Sequence, residues 1–309
     1  MSCRIFTSVD PDRCNGCGLC VEICPSDTLS MVDRKAVVTG KRSLSCGQCA
    51  AVCPVGAITV TSLEPTPHVF ETFQGKADWL PWGKYDVAEL ARLMASRRSC
   101  RRYTDQPVAR EILRDLIRIG VTAPSGTNSK RWRFTLVSSR RDVVVFGERI
   151  ADFYRRLNRI SEMTWLRHAL KWCGKTELDV YHRHYHDRVA DVLAEWRLSA
   201  RDRLFHGAPA AIIVSCCPGA SCPAEDALLA TQNILLGAHA LGLGTCLIGF
   251  AVEAVKRDAR IKRLLDMPKE ETVYSVIALG YPAIKYHALP GRKTPFVREP
   301  VLEVQNGSA

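Results

Sequence analysis

The spacing of hydrophobic positions changes along the chain near residue 63. Before it, short apolar runs in TLSMVDRKAVVTGKR and GAITVTS are separated by turn residues, which is typical of short strands. Residues 63–86 contain proline and aromatic residues without a clear period, so we expect a linker. We therefore predict a small unit at residues 1–62, a linker at 63–86 and a larger unit at 87–309.

Helical spacing dominates the larger unit. It predicts helices in VAELARLMASRRS, in a segment that starts at Pro107, and from Ala224 to Leu241. Residues 142–206 are basic, aromatic and mainly helical in pattern. The segment VEAVKRDARIKRLLDMP predicts one further amphipathic helix.

Strand patterns are fewer and lie between these helices. WRFTLVSS alternates as a half-buried strand does, whereas APAAIIVSCC and ETVYSVIALGYP are continuous apolar runs typical of buried strands. The C-terminal KYHALPGRKTPFVREPVLEV reads as extended chain. A few central strands among many helices predict an α+β fold with a sheet covered by helices.

One uncharged segment is long enough to cross a bilayer, from Ala227 to Val252. Polar residues lie in its middle, and the glycines at 242 and 244 interrupt it. We expect a buried helix, a glycine turn and a loop or short strand, and no membrane span. The N-terminal segment lacks the apolar stretch of a secretory signal, so we expect a cytoplasmic protein.

Charge is distributed unevenly. The net charge is +11, yet residues 1–65 contain six basic and six acidic residues and are neutral. The basic residues downstream are interspersed with acidic ones, which indicates a solvated surface and a phosphate-bearing ligand. We therefore expect no nucleic-acid partner.

Eight of the fourteen cysteines lie within the first 53 residues. CNGCGLCVEICP spaces four cysteines as C-x2-C-x2-C-x3-C-P, a complete iron–sulfur ligand motif. SLSCGQCAAVCP repeats the spacing thirty residues later, but Ser43 stands at the first position. In a reducing compartment such motifs favour metal ligation over disulfides.

Two such motifs hold two clusters by exchanging their last cysteines, because the fourth cysteine of each motif ligates the other cluster. The first cluster is expected on Cys14, Cys17, Cys20 and Cys53, and the second on Cys24, Cys46 and Cys49 with Ser43 at the fourth position. These residues resemble the bacterial two-cluster ferredoxin domain, which implies two 4Fe-4S clusters. The second cluster would be completed by serine alkoxide or water, or would be a 3Fe-4S cluster. A zinc site is the alternative, but zinc motifs rarely have this spacing.

Candidate anion-binding residues follow in the larger unit. SRRSCRRYTDQPV gathers guanidinium groups and a hydroxyl that suit a phosphate dianion. APSGTNSKRWRF offers hydroxyl and amide donors, GLGTCLIG lacks the spacing of a dinucleotide fingerprint, and PGRKTP adds two cations.

In this order the motifs resemble the FMN-dependent nitroreductase family, which implies a mixed sheet, a homodimer and flavin chemistry. The resemblance assigns the phosphate and ribityl to Arg97, Arg98, Ser99, Arg101, Arg292 and Lys293. It assigns a loop that reaches the flavin from the partner subunit to Pro124, Ser125, Thr127 and Asn128. It assigns the wall of the flavin ring to Leu247, Ile248 and Gly249.

The two resemblances together imply an iron–sulfur flavoprotein oxidoreductase. Clusters and FMN would exchange electrons and pass them to a small electron-poor acceptor, such as a nitroaromatic or a quinone, with NAD(P)H or a reduced ferredoxin as donor. No side chain is expected to be an essential acid or base, because the cofactor carries the chemistry. The alternatives are a flavin-cleaving enzyme on the same fold and a redox sensor that uses the open site at Ser43.

Overall fold

The computed structural model describes residues 5–64, 68–199 and 201–300. Its first unit is built from short elements: β1 (Thr7–Val9), α1 (Leu19–Glu22), β2 (Leu29–Val32), β3 (Lys35–Val38), α2 (Gln48–Val52) and β4 (Ile58–Val60). β1 pairs with β4 and β2 pairs with β3, both antiparallel. The first and last strands of the unit therefore lie side by side.

The two cysteine motifs fold in the same way. α1 and α2 each follow a glycine with left-handed backbone, Gly18 (φ 79°) and Gly47 (φ 81°). A residue with a side chain rarely adopts this conformation, so glycine permits the tight turn that each motif makes before its helix. The small core between the motifs contains Leu29, Ala36 and Ile58.

The larger unit has one sheet, nine α-helices and one short 3-10 helix (Gly126–Asn128) among the described residues. In chain order its elements are α3 (Val87–Ser96), α4 (Arg110–Gly120), β5 (Trp132–Val137), α5 (Arg140–Ser161), α6 (Thr164–Trp172), α7 (Glu177–His184), α8 (His186–Ser199), β6 (Ala210–Cys216), α9 (Pro223–Ala240), β7 (Gly244–Leu247), α10 (Gly249–Arg257), α11 (Ala259–Leu264) and β8 (Thr272–Gly280). The strand order is β5-β6-β8-β7 with antiparallel neighbours, and a parallel bridge joins Ser99 to Thr245.

Helices cover both faces of this sheet, which confirms the predicted α+β class. α4 and α9 pack on one face against Ile212 and Val214. α5 and α10 pack on the other against Ala211 and Ile213. Every residue of β6 is buried, which explains its continuous apolar sequence.

The strand register fixes two opposite corners of the sheet. Thr245 of β7 pairs with Leu279, which pairs with Ala210 of β6. At the other end of β6, Cys216 pairs with Trp132 of β5. Three steps between strands and six residues along β6 separate Thr245 from Trp132 by roughly 25 Å, at about 4.8 Å per step and 3.3 Å per residue.

The structure corrects two details of the sequence interpretation. The predicted amphipathic helix is two helices, because Asp258 ends α10 and accepts a hydrogen bond from the Arg260 N–H (2.9 Å), which caps α11. The helix expected at Pro107 begins at Arg110. Residues 281–300 contain no helix or strand, apart from one bridge between Pro282 and Tyr103, and the predicted extended end beyond residue 300 lies outside the described residues.

The apolar segment that begins at Ala227 forms most of α9, the glycine turn, β7 and the start of α10. In the parts of the chain that the structure describes, no helix combines the length and apolar character needed to cross a membrane.

A buried carboxylate fixes the linker to the larger unit. Asp115 of α4 is fully buried and accepts hydrogen bonds from the Glu71 N–H (2.8 Å), the Thr72 N–H (2.7 Å) and the Thr72 hydroxyl (2.6 Å). Arg118, one turn later, forms an ion pair with Glu64 (2.9 Å). These contacts hold the chain that leads from the small unit against α4.

Candidate functional site

Four thiols of the small unit lie around one position. Burial raises the pKa of Cys20, and the charges of Cys14, Cys17 and Cys53 raise it further. Negative charges on neighbouring thiolates raise the pKa of a thiol only when the sulfurs are close together. Cys14, Cys20 and Cys53 also belong to the same small core, so Cys53 of the second motif lies beside the first motif.

Three thiols and a serine hydroxyl gather at the second position. Cys24, Ser43, Cys46 and Cys49 line one small cavity. Burial raises the pKa of Cys49, and the charges of Cys46 and Cys24 raise it further. The Ser43 hydroxyl accepts a hydrogen bond from the Ser45 N–H (3.1 Å), which fixes its position at the cavity wall.

Backbone N–H groups point at the sulfurs of both sets. The Ala36 N–H donates to Cys14 Sγ (3.5 Å), the Thr28 N–H to Cys24 Sγ (3.4 Å) and the Ala57 N–H to Cys53 Sγ (3.2 Å). An N–H···S bond stabilises a thiolate, and the pKa of Cys14 is lowered chiefly by the Ala36 and Gly16 N–H groups. The donors fit anionic clusters, whose sulfurs accept such bonds.

Within the described ranges, no three His, Cys, Asp or Glu side chains form a site for a single metal ion. A four-iron cluster is larger than one ion, so its thiolates stand further apart than the ligands of a mononuclear site. His186, in the histidine-rich segment, instead forms contacts with Glu162 (3.1 Å) and Asp187 (2.8 Å).

The arginine-rich turn follows α3 and lies against β7. Arg97 ends the helix, Ser99 bridges to Thr245, and the Cys100 N–H donates to the Thr245 carbonyl (2.8 Å). The turn is therefore held by backbone contacts, which leaves its polar side chains available to a ligand.

The guanidinium groups of this turn are unpaired. In residues 5–64, 68–199 and 201–300, Arg97, Arg98 and Arg101 form no ion pair and donate no side-chain hydrogen bond. Burial lowers the pKa of His239, and the charge of Arg97 lowers it further. Burial also lowers the pKa of His206, where the charge of Asp202 opposes the shift and that of Arg101 adds to it. Positive charge that is not ion-paired suits a phosphate dianion.

The late basic pair reaches the same place. Arg292 donates to the carbonyl of Ala95 (3.0 Å), two residues before the arginine turn. Lys293 follows it and is exposed. A segment distant in sequence thereby adds positive charge at the end of α3.

An open apolar wall lies beyond the turn, where β7 leads into α10. Leu247 is 49% exposed, Ile248 is buried, and a methyl group built on Gly249 would meet no atom within 4 Å. α10 has no side-chain cap, so its first N–H groups are free for a ligand. This wall has room for a planar ring.

A cleft of about 1110 Å³ continues from Leu247 and Gly249 between α10 and α5–α7. Its aromatic lining consists of Phe153, Tyr154, Tyr181, Tyr185, Phe250 and Tyr274. Burial raises the pKa of Tyr181 to about 12, so its phenol stays neutral and donates to Asn158 (2.6 Å). The cleft can receive a flat, apolar molecule next to the proposed ring wall.

The loop from Pro124 to Lys130 is held by its own chain. Asp226, which is 1% exposed, accepts hydrogen bonds from the Gly126 N–H (2.8 Å) and the Ser129 hydroxyl (3.2 Å). Ser125 accepts from the Lys130 N–H (3.1 Å), and Thr127 shares a hydrogen bond with Ser221 (2.6 Å).

Asn128, at the tip of this loop, contacts the small unit. Its side-chain N–H2 donates to the carbonyl oxygens of Leu44 (2.9 Å) and Ser45 (3.0 Å), next to Ser43. Its backbone is left-handed (φ 53°), a conformation that asparagine tolerates better than most residues. The loop therefore joins the larger unit to the wall of the Ser43 cavity.

One chain does not bring the two groups of predicted flavin residues together. Ser99 and its turn lie at the Thr245 corner of the sheet, whereas the loop enters β5 at Trp132, the opposite corner. Arg131 donates to the Pro218 carbonyl (2.6 Å), which keeps the loop at the Cys216 end of β6.

The sequence interpretation missed the roles of two buried aspartates, Asp226 and Asp115. Asp226 follows Pro223 in a first helical turn, where acidic residues are common for other reasons, so nothing in the sequence marks it. Asp115 had a weak signal, since an acid between Leu113 and Leu116 interrupts the apolar stripe of α4.

Two family profiles match the chain in the order of its two units. The profile described as the 4Fe-4S dicluster domain matches residues 13–57, and the profile described as the nitroreductase family matches residues 94–281. The second match covers more than half of the chain.

Similar proteins were found among curated sequences and solved structures. A putative NADH dehydrogenase/NAD(P)H nitroreductase of Methanothermobacter thermautotrophicus is 28% identical over 65% of this chain and 81% of its own length. A 4-nitrobenzoate reductase of Nocardioides sp. is 27% identical over 68% of this chain and 85% of its own. An FMN-dependent nitroreductase structure from Clostridium difficile aligns with TM-score 0.48 and 21% identity, over 67% of this chain and 97% of its own.

Proposed function

The chain belongs to the nitroreductase family and carries a 4Fe-4S dicluster domain, and we propose that it passes electrons through two clusters and FMN to a small electron-poor acceptor. The broad class, an iron–sulfur flavoprotein oxidoreductase that uses FMN, follows from these two domains. The proposal adds the number of clusters, the residues of each site and the class of acceptor.

Flavin binding rests on the unpaired arginine turn, the observation that carries the proposal. Arg97, Arg98 and Arg101 hold the phosphate, together with the Ser99 hydroxyl. Arg292 and Lys293 add charge from the other side, at the end of α3. If the guanidinium groups of this turn were buried or ion-paired, they would have no free N–H donors for a phosphate dianion.

Ring binding is assigned to the wall formed by Leu247, Ile248 and Gly249. FMN supplies the conversion between two-electron and one-electron chemistry. The wall keeps one ring face in an apolar setting, and the free N–H groups at the start of α10 favour negative charge nearby.

Two clusters are assigned to the two sets of ligands. Cys14, Cys17, Cys20 and Cys53 hold a 4Fe-4S cluster, and Cys24, Cys46 and Cys49 hold a second with Ser43 at its fourth position. Serine is a harder ligand than a thiolate, so the second cluster is either completed by alkoxide or water or has three irons.

The acceptor is a flat conjugated molecule such as a nitroaromatic or a quinone. The aromatic cleft that begins at Leu247 supports this class, because planar rings stack on aromatic side chains. Lys175 and Lys256 line the cleft together with Glu177, whereas Arg257 is paired with Glu253 (3.2 Å). The name of the Nocardioides relative, a 4-nitrobenzoate reductase, agrees with a flat aromatic acceptor.

A homodimer completes the flavin site. The loop of Pro124, Ser125, Thr127 and Asn128 lies at the sheet corner opposite the arginines, so only a second chain can bring it to the same flavin. Large apolar side chains are available for an interface, including Trp172, which is 96% exposed.

A stopped-flow experiment tests the proposal. The protein is reduced anaerobically with NADH, NADPH or a reduced ferredoxin and is then mixed with 4-nitrobenzoate or a quinone. We expect flavin and cluster absorbance to return with the same rate as the acceptor is consumed. A reduced protein that reacts with neither acceptor class would contradict the proposal.

A further inference from the structure

We propose that electron delivery crosses between subunits: the Ser43 cluster of one protomer reduces the FMN that the arginine turn of its partner holds. This inference rests on the proposed function and specifies the route within it. A fusion of two domains would ordinarily suggest delivery within one chain, but the contacts of Asn128 and the strand register place the Ser43 cavity and the arginine turn at opposite corners of that chain.

The first step is the position of the second cluster. Asn128 donates to the carbonyl oxygens of Leu44 and Ser45, and both residues line the same cavity as Ser43. Of the two clusters, the one at Ser43 therefore lies against the loop of the larger unit. The first cluster, on the Cys14 set, is the more remote and suits entry of electrons from the donor.

The second step is that the loop cannot swing toward its own arginine turn. Asp226 accepts from both Gly126 and Ser129, and Thr127 is bonded to Ser221. A methyl group on Gly126 would meet Cys222 Sγ at 3.0 Å, so the loop is also closely packed. The cluster domain is thus anchored at the Cys216 end of the sheet.

The third step is distance. Leu247 pairs with Ile277, which pairs with Ile212, and four residues of β6 separate Ile212 from Cys216. With three steps between strands, the ring wall and Trp132 of one chain are roughly 20 Å apart. Because electron tunnelling weakens steeply with distance, a flavin on the same chain is poorly placed.

The fourth step is symmetry. In a two-fold dimer a contact made by one chain is repeated by the other, so a loop that reaches the partner's flavin brings its own Ser43 cluster with it. Each transfer would oxidise a cluster by one electron, and two transfers with two protons from solvent would reduce one FMN fully. A reduced ferredoxin, which is a one-electron donor, would restore the clusters.

Mixed dimers with two affinity tags test this route. In the split dimer, one chain carries Cys46→Ala and Cys49→Ala, and the other carries Arg97→Ala and Arg101→Ala. In the matched dimer, all four substitutions lie on one chain and the other is unchanged. Both dimers contain one FMN site and one complete cluster domain, so only the arrangement differs.

The readout is the bleaching of FMN absorbance after a reduced ferredoxin is added anaerobically, with the cluster-free homodimer as baseline. Delivery between subunits predicts bleaching at least tenfold faster in the split dimer than in the matched dimer. Faster bleaching in the matched dimer, or equal bleaching rates above baseline in the two dimers, would overturn the inference. Baseline rates in both, with FMN and iron present, would contradict the relay of the proposed function itself.

Cross-linking supplies a readout that needs no turnover. Dimers of one ¹⁴N-labelled and one ¹⁵N-labelled chain are treated with a short lysine-reactive reagent. Lys130 of the loop and Lys256 of the cleft lie at opposite corners within a chain, so we expect linked peptides of mixed label. Links confined to single-label peptides would contradict the inference.

Discussion

The side-chain amide of Asn128 donates a 3.0 Å hydrogen bond to the backbone carbonyl of Ser45, and thereby joins the flavin-domain loop to the wall of the second cluster cavity. The same amide donates to Leu44 (2.9 Å). The orientation of the cluster domain thus depends on one side chain that projects from a tightly held loop.

Asn128→Asp tests this joint. Aspartate also tolerates the left-handed backbone, but its carboxylate cannot donate and repels the two carbonyl oxygens. We expect proteolysis in residues 63–86 to accelerate severalfold and transfer from clusters to FMN to slow. Asn233→Asp, which removes the amide's bond to Thr122 (3.0 Å) two helical turns beyond Asp226, is the control and should alter neither.

Arg97→Ala and Arg101→Ala test the phosphate site. Each removes a free guanidinium, and a charge-assisted hydrogen bond is worth about 1.5–3 kcal/mol, so FMN should bind roughly 10- to 150-fold more weakly. Equilibrium dialysis of the reconstituted protein measures this. Arg92→Ala, which breaks only an exposed ion pair with Glu89, should retain full affinity. Equal affinities for all three variants would place the phosphate elsewhere.

Ser43→Cys tests the second cluster. A thiolate at this wall of the cavity completes a four-cysteine set with Cys24, Cys46 and Cys49. We expect the electron paramagnetic resonance spectrum of the reduced protein to change and the cluster to resist loss of iron. Ser30→Cys adds a thiol to β2, outside the cavity lining, and should leave the spectrum as it is. An unchanged Ser43→Cys spectrum would contradict a site-differentiated cluster.

Asp115→Asn tests the attachment of the linker. Burial alone raises the pKa of Asp115, but the donors from Thr72 and Glu71 outweigh it and hold the pKa below its usual range. Its stabilisation is therefore complete above about pH 4 and is lost only as pH falls through the lower folded-state pKa. We expect a loss of roughly 2 kcal/mol in the free energy of unfolding.

Denaturant titrations from pH 8 to 3 measure this loss. The difference between Asp115→Asn and the unchanged protein should stay constant down to about pH 4 and shrink in stronger acid. Glu111→Gln, an exposed acid on the same helix, should differ little at any pH. A difference that grows as pH falls would contradict the assigned direction.

The sequence predicted those parts of the fold in which burial and periodicity agree. β6 was recognisable because a strand covered on both faces is continuously apolar, and both cysteine motifs were recognisable by spacing. The break at Asp258 was not, because an aspartate within a charged helix has no pattern that separates a cap from a surface residue. The role of Asp226 was not predicted for the same reason.

The contact between the two units could not be predicted from the sequence for a different reason. Asn128 bonds to backbone carbonyls of Leu44 and Ser45, and every residue has such a carbonyl. The separation of the arginine turn from the loop likewise depends on strand order, with β6 and β8 between the two edges. The assignment of individual ligands to FMN and to the clusters stays a prediction.

The most direct measurement is the prosthetic-group content of protein purified without oxygen. Iron, acid-labile sulfide and FMN are counted per chain, and electron paramagnetic resonance is recorded during stepwise reduction. We predict one FMN and two clusters per chain, with two distinct cluster signals. Colourless protein, or protein that holds only flavin or only iron and sulfide, would contradict the account.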